Sequence, residues 1–425
     1  MAKGRRAHRL KPIKSGGTPS YMVWTDTEAA NEDGKPEAGR QRLTFGVAEY
    51  REYSQTRHTK LEKQERLRYT KAATFWEWVD GKGRPKTVLW VMAHNWGYDG
   101  GILDTTNCLE ALGWECTRWI NEGRPPIIIH YRKNGCTLKL IDTLNYFRTS
   151  VSSLGKSMGT PKLVMPEHDA SKEEWDAYAW RDCDIIRDAF LALRELVMEG
   201  EYGPFQPTLA SQAMAAYKAR FMSVQPVVHD RWKYLELERM AYHGGRTECF
   251  YRGEHYGTIY KLDFNSLYPT IMRNERISFR PHTYHPTPRI ADIQESLENG
   301  LGVVADVTVS TDVPAYAYYD GVRLIFPIGE FDCALSTPEL VYALEHGHII
   351  DVRRFCTYQM DYLFREFVDH FYSARQAYQK EGNNAFQYMV KIMMNSLYGK
   401  FGQRCLLYTS PSPRDRTRSR MPSSA

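Results

Sequence analysis

The sequence predicts a mixed chain of strands and helices in two to three domains. Three observations predict this. Short apolar runs that end in carboxylates recur in the first half, at residues 22–28 and 87–99, and a helical spacing follows them at 175–186. A strand-to-helix corner at 260–272 and strand-like alternation at 303–309 mark the second half. A helix with distinct polar and apolar sides occupies 391–402.

At 425 residues and 42% hydrophobic, the chain can bury sizeable cores. No apolar run nears the length of a membrane span, so a soluble protein without a membrane partner is expected. Residues 1–20 are basic, with Lys3, Arg5, Arg6, Arg9, Lys11 and Lys14 and no apolar core behind them. That pattern predicts a disordered arm rather than a secretory signal. The eight cysteines form no Cys-x-x-Cys pair, which predicts reduced thiols in a cytoplasm. The net charge of +5 includes residues 405–425, a Pro/Ser/Arg run with four Arg and one Asp, and without that net three the chain stands at +2. The run starts abruptly after a strongly patterned helix and reads as a cloning or assembly artefact. Any field for nucleic acid then comes from local patches.

Along the first half, Asp26 and Glu28 alternate on a strand and share a face, so both can point at one metal pair. Asp-x-Glu alone is a weak signal, because most such pairs are solvated. The apolar strand 87–93 runs into His94-Asn95-Trp96-Gly97-Tyr98-Asp99, again a carboxylate just past a strand. Residues 138–147 predict a strand and then a turn. In the helical stretch, Tyr178 and Asp182 stand at i and i+4. Asp184 is the rival carboxylate, but only Asp182 stands four after a tyrosine. A helical pattern continues from 189 to about 233. After Tyr242, the paired Gly244 and Gly245 allow close backbone approach to something bulky, although alone they would be a turn.

In the second half, Ile259, Tyr260 and Leu262 predict the end of a buried strand, with Asp263 at its tip and Pro269 opening a helix. A carboxylate at such a corner can hold divalent cations while N–H groups of the next turn face phosphate oxygens, and Tyr268 can wall off a sugar. Lys391 and Asn395, four apart, share a helix face with Tyr398 one turn on, opposite Met393, Met394 and Leu397.

The string Asp263-Phe-Asn-Ser-Leu-Tyr-Pro269 resembles motif A of family B DNA polymerases, and residues 391–399 resemble motif B, Lys-x-x-x-Asn-Ser-x-Tyr-Gly, at every fixed position. The earlier strings are similar, in order, to the family's three exonuclease motifs, Asp-x-Glu, Asn-x-x-x-Asp and Tyr-x-x-x-Asp. Thr143-Leu144 resembles its Ser/Thr-Leu motif, and Tyr242-His-Gly-Gly245 its Tyr-x-Gly-Gly motif. The resemblance implies a ribonuclease-H-like α/β exonuclease domain (21–200), a template-binding linker with connecting helices (201–258), and a truncated α+β polymerase palm with helical fingers (259–404). An insertion at about 281–352 looks like that of the protein-primed polymerases of bacteriophages and linear plasmids, where it meets the priming terminal protein.

The same resemblance implies two Mg2+ or Mn2+ ions per active site, at Asp26, Glu28, Asp99 and Asp182 in one and at Asp263 in the other. Tyr178 would orient the attacking water. Asn95, Tyr98, Thr143, Leu144 and Lys162 would hold a single-stranded primer end, and Tyr242, Gly244 and Gly245 the template. Ser266, Leu267, Tyr268, Arg375, Lys391, Asn395 and Tyr398 would surround an incoming deoxynucleoside triphosphate. Implied partners are primer and template DNA, deoxynucleoside triphosphates and a terminal protein, for a monomer in the host cytoplasm. One departure is plain: the family's later Asp-Thr-Asp motif occurs nowhere in the 425 residues. The expectation is therefore a fragment that is polymerase-dead and exonuclease-competent, with a stand-alone exonuclease or a non-catalytic DNA-binding remnant as alternatives.

Overall fold

Strand pairing organises the first half of the chain. The computed structural model describes residues 7–401 other than 15, 32–40, 57, 168 and 265. After a two-residue strand β1 (His8–Arg9) come β2 (Tyr21–Asn31), β3 (Gln41–Tyr53), β4 (Leu61–Tyr69), α1 (Ala72–Asp80), β5 (Val88–Ala93), α2 (Trp96–Ile102), α3 (Thr105–Ala111), β6 (Glu115–Ile120), β7 (Ile128–Lys133) and β8 (Cys136–Asp142). Seven of these strands form one sheet in the order β4-β3-β2-β5-β8-β7-β6. The β2–β5 and β5–β8 pairings are parallel and the others antiparallel. Helices α4 (Val151–Ser157), α5 (Lys172–Glu199) and α6 (Leu209–Ala216) follow. A capping box between Ser171 and Glu174 fixes the start of α5.

Alternation along the strands gives this sheet two apolar faces. One carries Val23, Leu89, Val91, Ile129, Leu138 and Leu140, packed with Phe75, Trp76 and Leu109. The other carries Trp24 and Trp90, covered by Phe190 of α5 and by Phe205, with Trp24–Phe190 ring centroids 6.1 Å apart and Trp90–Phe205 5.8 Å. Gly46 on β3 lies directly under the Tyr69 ring, and a Cβ there would collide with it. Gly46→Ala is expected to cost about 1–3 kcal/mol through overpacking, read as a lower urea midpoint. An unchanged midpoint would mean that Tyr69 yields freely.

Among the described residues two compact units emerge, one of 13–221 with 369–401, the other of 7–12 with 222–368. The second contains β9 (Val227–Val228), α7 (Trp232–Ala241), α8 (Leu267–Asn274), β10 (Ile277–His285), α9 (Ile290–Glu298), β11 (Gly302–Thr311), β12 (Tyr318–Tyr319), β13 (Leu324–Ile325), β14 (Gly329–Ser336), α10 (Thr337–Glu345) and β15 (Ile349–Asp361). Its main sheet is antiparallel in the order β10-β15-β11-β14, over a core of Val303, Ala305, Val307, Leu335, Leu340 and Phe355. The last helices are α11 (Arg365–Lys380) and α12 (Asn384–Phe401). From Asp369 the chain is back in the first unit, where Lys400 Nζ donates to Ser211 Oγ at 3.2 Å and Phe401 sits edge-on to Tyr217 at 5.9 Å.

Several expectations are corrected here. Residues 259–263 form no strand, and Ile259, Tyr260 and Leu262 are 74%, 82% and 90% exposed. A strand needs a ladder partner, and among the described residues none pairs with this stretch. The following helix opens at Leu267, two residues before Pro269. The arm is not free throughout, since His8 and Arg9 pair with Val228 and Val227, and the Leu10 N–H donates to the Pro226 carbonyl at 2.8 Å. The helical run expected to about 233 breaks after Glu199 and Phe221. The compact units divide at 12–13, 221–222 and 368–369, and the apolar side of α12, with Met393, Met394 and Leu397 fully buried, packs in the first unit. Residues 402–425, with the tail expected to be artefactual, lie outside the described residues.

Candidate active site

Asp26 and Glu28 leave β2 on one face, both partly buried. Asp99 arrives from α2. The start of that helix is fixed by Asp142 at the end of β8, whose Oδ1 accepts the Asn95 and Leu144 N–H groups at 3.0 and 2.8 Å and whose Oδ2 accepts the Trp96 N–H at 3.0 Å. Asn95 takes up a left-handed conformation, φ 81°, to make this turn. Asp99 is buried, and Thr27, between the two β2 carboxylates, donates to its Oδ1 at 2.6 Å. Tyr178 and Asp182 come from consecutive turns of α5, both buried. Lys162 Nζ pairs with Asp182 and lies 4.6 Å from the Tyr178 ring centroid. Asp184 instead pairs with Arg66 and Arg187, beside the buried Glu49. Geometry thus separates the two rivals: Asp182 joins the carboxylate group and Asp184 an arginine network.

The charges of this group bear on one another. Burial, then the charges of Asp99, Asp182 and Glu28, hold the Asp26 carboxyl well above its usual range, with Lys162 opposing. Burial and Asp182 raise Glu28. Burial pushes Asp99 up to about 7 against the Thr27 hydrogen bond. Asp182 is raised by burial although Lys162 pulls it down. Burial works against the charge on Lys162, but its bonds to Asp182 and Tyr178 prevail and raise it. Negative charge is therefore concentrated here in excess of what one lysine offsets.

Such a donor set, hard oxygens only, fits Mg2+ or Mn2+. Asp182 Oδ1 is buried and has no hydrogen-bond partner among the described residues, as an oxygen reserved for a cation would be. Among the described residues, no three His, Cys, Asp or Glu side chains already stand at gripping distance of an ion. Asp99 is tied to Thr27 and Asp182 to Lys162.

A pH dependence follows. Folded Asp99 holds its proton to about pH 7, whereas in the unfolded chain it loses it near pH 4. The folded state binds the extra proton across that window, so stability falls as pH rises from about 4 to 7 and the contribution is gone above it. With chelator present, the Tm is expected to drop between pH 5.5 and 8, and Mg2+ to restore more of it at pH 8 than at 5.5. A Tm that rises with pH in chelator would contradict this charge balance.

The residues expected around a strand end divide. Asn95 and Tyr98 are exposed beside Asp99, and Leu144 is half-buried. Thr143 is fully buried, its hydroxyl donating to the Ala93 carbonyl at 3.1 Å and meeting His94 Nδ1 at 2.9 Å. It is corrected from a DNA contact to a positioning residue. Lys162 is held by Asp182 rather than presented outward. Sequence reasoning missed Asp142 and His94. An Asp ending an apolar strand just ahead of a turn was the available signal for the first; for His94 there was none.

The other predicted residues lie elsewhere. Asp263 is exposed in an irregular stretch. Ser266 caps α8 in a left-handed conformation, φ 55°, leading into Leu267 and Tyr268. A Cβ on Gly245 would stand 3.4 Å from Tyr268 Oη, whereas one on Gly244 would meet nothing within 4 Å; Tyr242 and Gly244 are exposed. Lys391, Asn395 and Tyr398 share the exposed side of α12, and Arg375 is half-buried on α11, in the other unit from Asp263.

Comparison with known proteins places these observations. The family model described as DNA polymerase type B, organellar and viral, matches residues 166–410. A probable DNA polymerase of Neurospora intermedia is 25% identical over 207 residues, 46% of this chain and 21% of that one. The DNA-directed DNA polymerase of Enterobacteria phage PRD1 is 26% identical over 277 residues, 64% of this chain and 47% of the relative. The chain thus spans less than half the length of these relatives. Phi29 DNA polymerase shares the fold, with a TM-score of 0.63 at 18% identity over 91% of this chain and 69% of that one. Phi29 DNA polymerase complexed with primer-template DNA and incoming nucleotide substrates is equally similar, 0.63 at 18% over 90% and 69%.

Proposed function

We propose, from the premise that this chain belongs to the organellar and viral type B DNA polymerases, that its first unit is a 3′→5′ proofreading exonuclease and that the whole protein copies DNA from a protein primer. The carrying observation is the convergence of Asp26, Glu28, Asp99 and Asp182 on one mutually repelling group with an orphaned Asp182 oxygen. These carboxylates would hold two divalent cations, which supply an activated water and stabilise the departing 3′ oxygen when bound. The chain's own residues do the rest. Asn95 and Tyr98, exposed beside Asp99, take the last nucleotides of a single strand. Asp142 and Thr143 fix the turn that presents Asn95 and Leu144. Tyr178, on the turn before Asp182, orients the attacking water, and Lys162 offsets part of the negative charge.

For synthesis, Asp263 is the metal-binding candidate and Ser266, Leu267 and Tyr268 the wall of the nucleotide site. Lys391, Asn395 and Tyr398 face outward, as contact with a triphosphate and a nascent base pair requires. Arg375 is a second cation for the triphosphate, and Tyr242, Gly244 and Gly245 track the template. The sheet around β11 and β15 is the surface for a terminal protein. The test is digestion of a 5′-labelled single strand with Mg2+ or Mn2+. Stepwise shortening from the 3′ end supports the exonuclease; an intact strand with both ions overturns it.

A further inference from the structure

On the Trp24 and Trp90 face of the seven-stranded sheet, three basic side chains stand in a row. His130 on β7 pairs in register with Lys139 on β8, and Arg118 on β6 with His130. Because Ile129, Tyr131, Leu138 and Leu140 pack in the core of the opposite face, alternation puts His130 and Lys139 on this one. Arg118 would not join them in a regular strand. The register slips between Cys116 and Arg118, so Cys116 pairs with Tyr131 but Arg118 with His130, and the bulge turns Arg118 to the basic side. Directly opposed residues lie about 5 Å apart at Cβ.

Among the described residues, no carboxylate forms an ion pair with this row. Lys139 lies 4.8 Å from the Trp90 ring centroid. Arg118 Nε and His130 Nε2 are buried and without hydrogen-bond partners. The charges that bear on His130 are Lys139 and Arg118, and burial with that repulsion lowers it to about 4. Burial lowers Arg118, and burial with Arg118 lowers Lys139. Buried nitrogens left unpaired are rare and costly, and like charges set side by side add to the cost. Fold stability does not explain such an arrangement; an acceptor-rich anion does.

We propose that Arg118, His130 and Lys139 form a phosphate-binding site, taking a phosphate that is either free or part of a nucleic-acid backbone. An arginine edge, an ammonium and an imidazole nitrogen offer donors from neighbouring strands, which suits a tetrahedral anion better than a planar one. The site does not rest on the nuclease reading, since it shares no residue with the carboxylate group.

The test uses the full chain in chelator, which silences cleavage. Inorganic phosphate is titrated by calorimetry at constant ionic strength, with acetate as the planar comparison, and a short single-stranded oligonucleotide is titrated across a salt series. Lys139→Met and Arg118→Gln are each expected to weaken phosphate binding about tenfold or more, and Lys139→Arg to keep it within a few-fold. Without ligand, Lys139→Met is expected to melt no lower than the parent, because it removes a repelled charge. If a strand supplies the phosphate, the slope of log affinity against log salt falls by about one in Lys139→Met. If that slope is unchanged while inorganic phosphate binding is lost, the ligand is free phosphate. Equal phosphate affinity in parent and variants, equal affinity for acetate, or a Lys139→Met protein that melts lower than the parent overturns the proposal.

Discussion

Asp26→Ala and Asp182→Ala are each expected to lower the 3′→5′ exonuclease rate by about a thousandfold or more, measured as single-turnover release of 3′ nucleotides from a labelled strand in Mg2+. Loss of an outer partner of a metal ligand costs about 10–100-fold, and loss of the ligand itself should exceed that. Asp26→Ala should leave the metal-free protein at least as stable, because it removes a carboxylate that burial and its neighbours push above its usual range, whereas Asp182→Ala also breaks the pair with Lys162. Opposite signs in activity and stability separate this outcome from misfolding. Asp184→Asn, in the arginine network, should keep the rate within a few-fold. A full rate in Asp26→Ala would remove the carboxylate group from the chemistry.

Phe190→Ala is the largest expected loss of stability, about 3–5 kcal/mol by urea unfolding. Phe190 is fully buried where α5 crosses the sheet, with ring centroids 6.1 Å from Trp24, 5.6 Å from Tyr146 and 5.2 Å from Phe205. Removing it opens a cavity among rigid rings that cannot collapse into it. The same helix carries Asp182 about two turns earlier and Tyr178 about three, so the exonuclease rate should fall as well, by far less than in Asp182→Ala. A loss under about 1 kcal/mol would mean that the neighbouring rings refill the space.

What the sequence disclosed depended on whether a signal was local. The i, i+2 spacing of Asp26 and Glu28 and the i, i+4 spacing of Tyr178 and Asp182 survive into the structure because a strand and a helix impose those periods directly. The two sides of α12 were legible for the same reason, Met393 and Leu397 inward and Lys391 and Asn395 outward. The strand expected at 259–263 was not realised, since its apolar residues say nothing about whether an edge is available to pair with. Thr143 resembles a single-stranded-DNA contact in sequence, and a hydroxyl that ties a turn to Ala93 and His94 leaves no separate mark there. The alignment of Arg118 with His130 and Lys139 could not be read at all, for it depends on a one-residue bulge between strands whose register the sequence does not state.

The return of the chain to its first unit at Asp369 governs the order in which the protein can be made. Lys400 bonds Ser211 across a sequence separation of 189, and α12 covers a surface of α6 laid down much earlier. Contacts of such long sequence separation close late and slow folding. As the chain emerges from the ribosome, the seven-stranded sheet can assemble early, but its helical side stays open until the whole second unit has been synthesised. Over that interval the apolar surface awaiting Met393, Met394 and Leu397 is exposed to other chains, and a synthesis rate or chaperone that shortens the wait governs the yield of native protein.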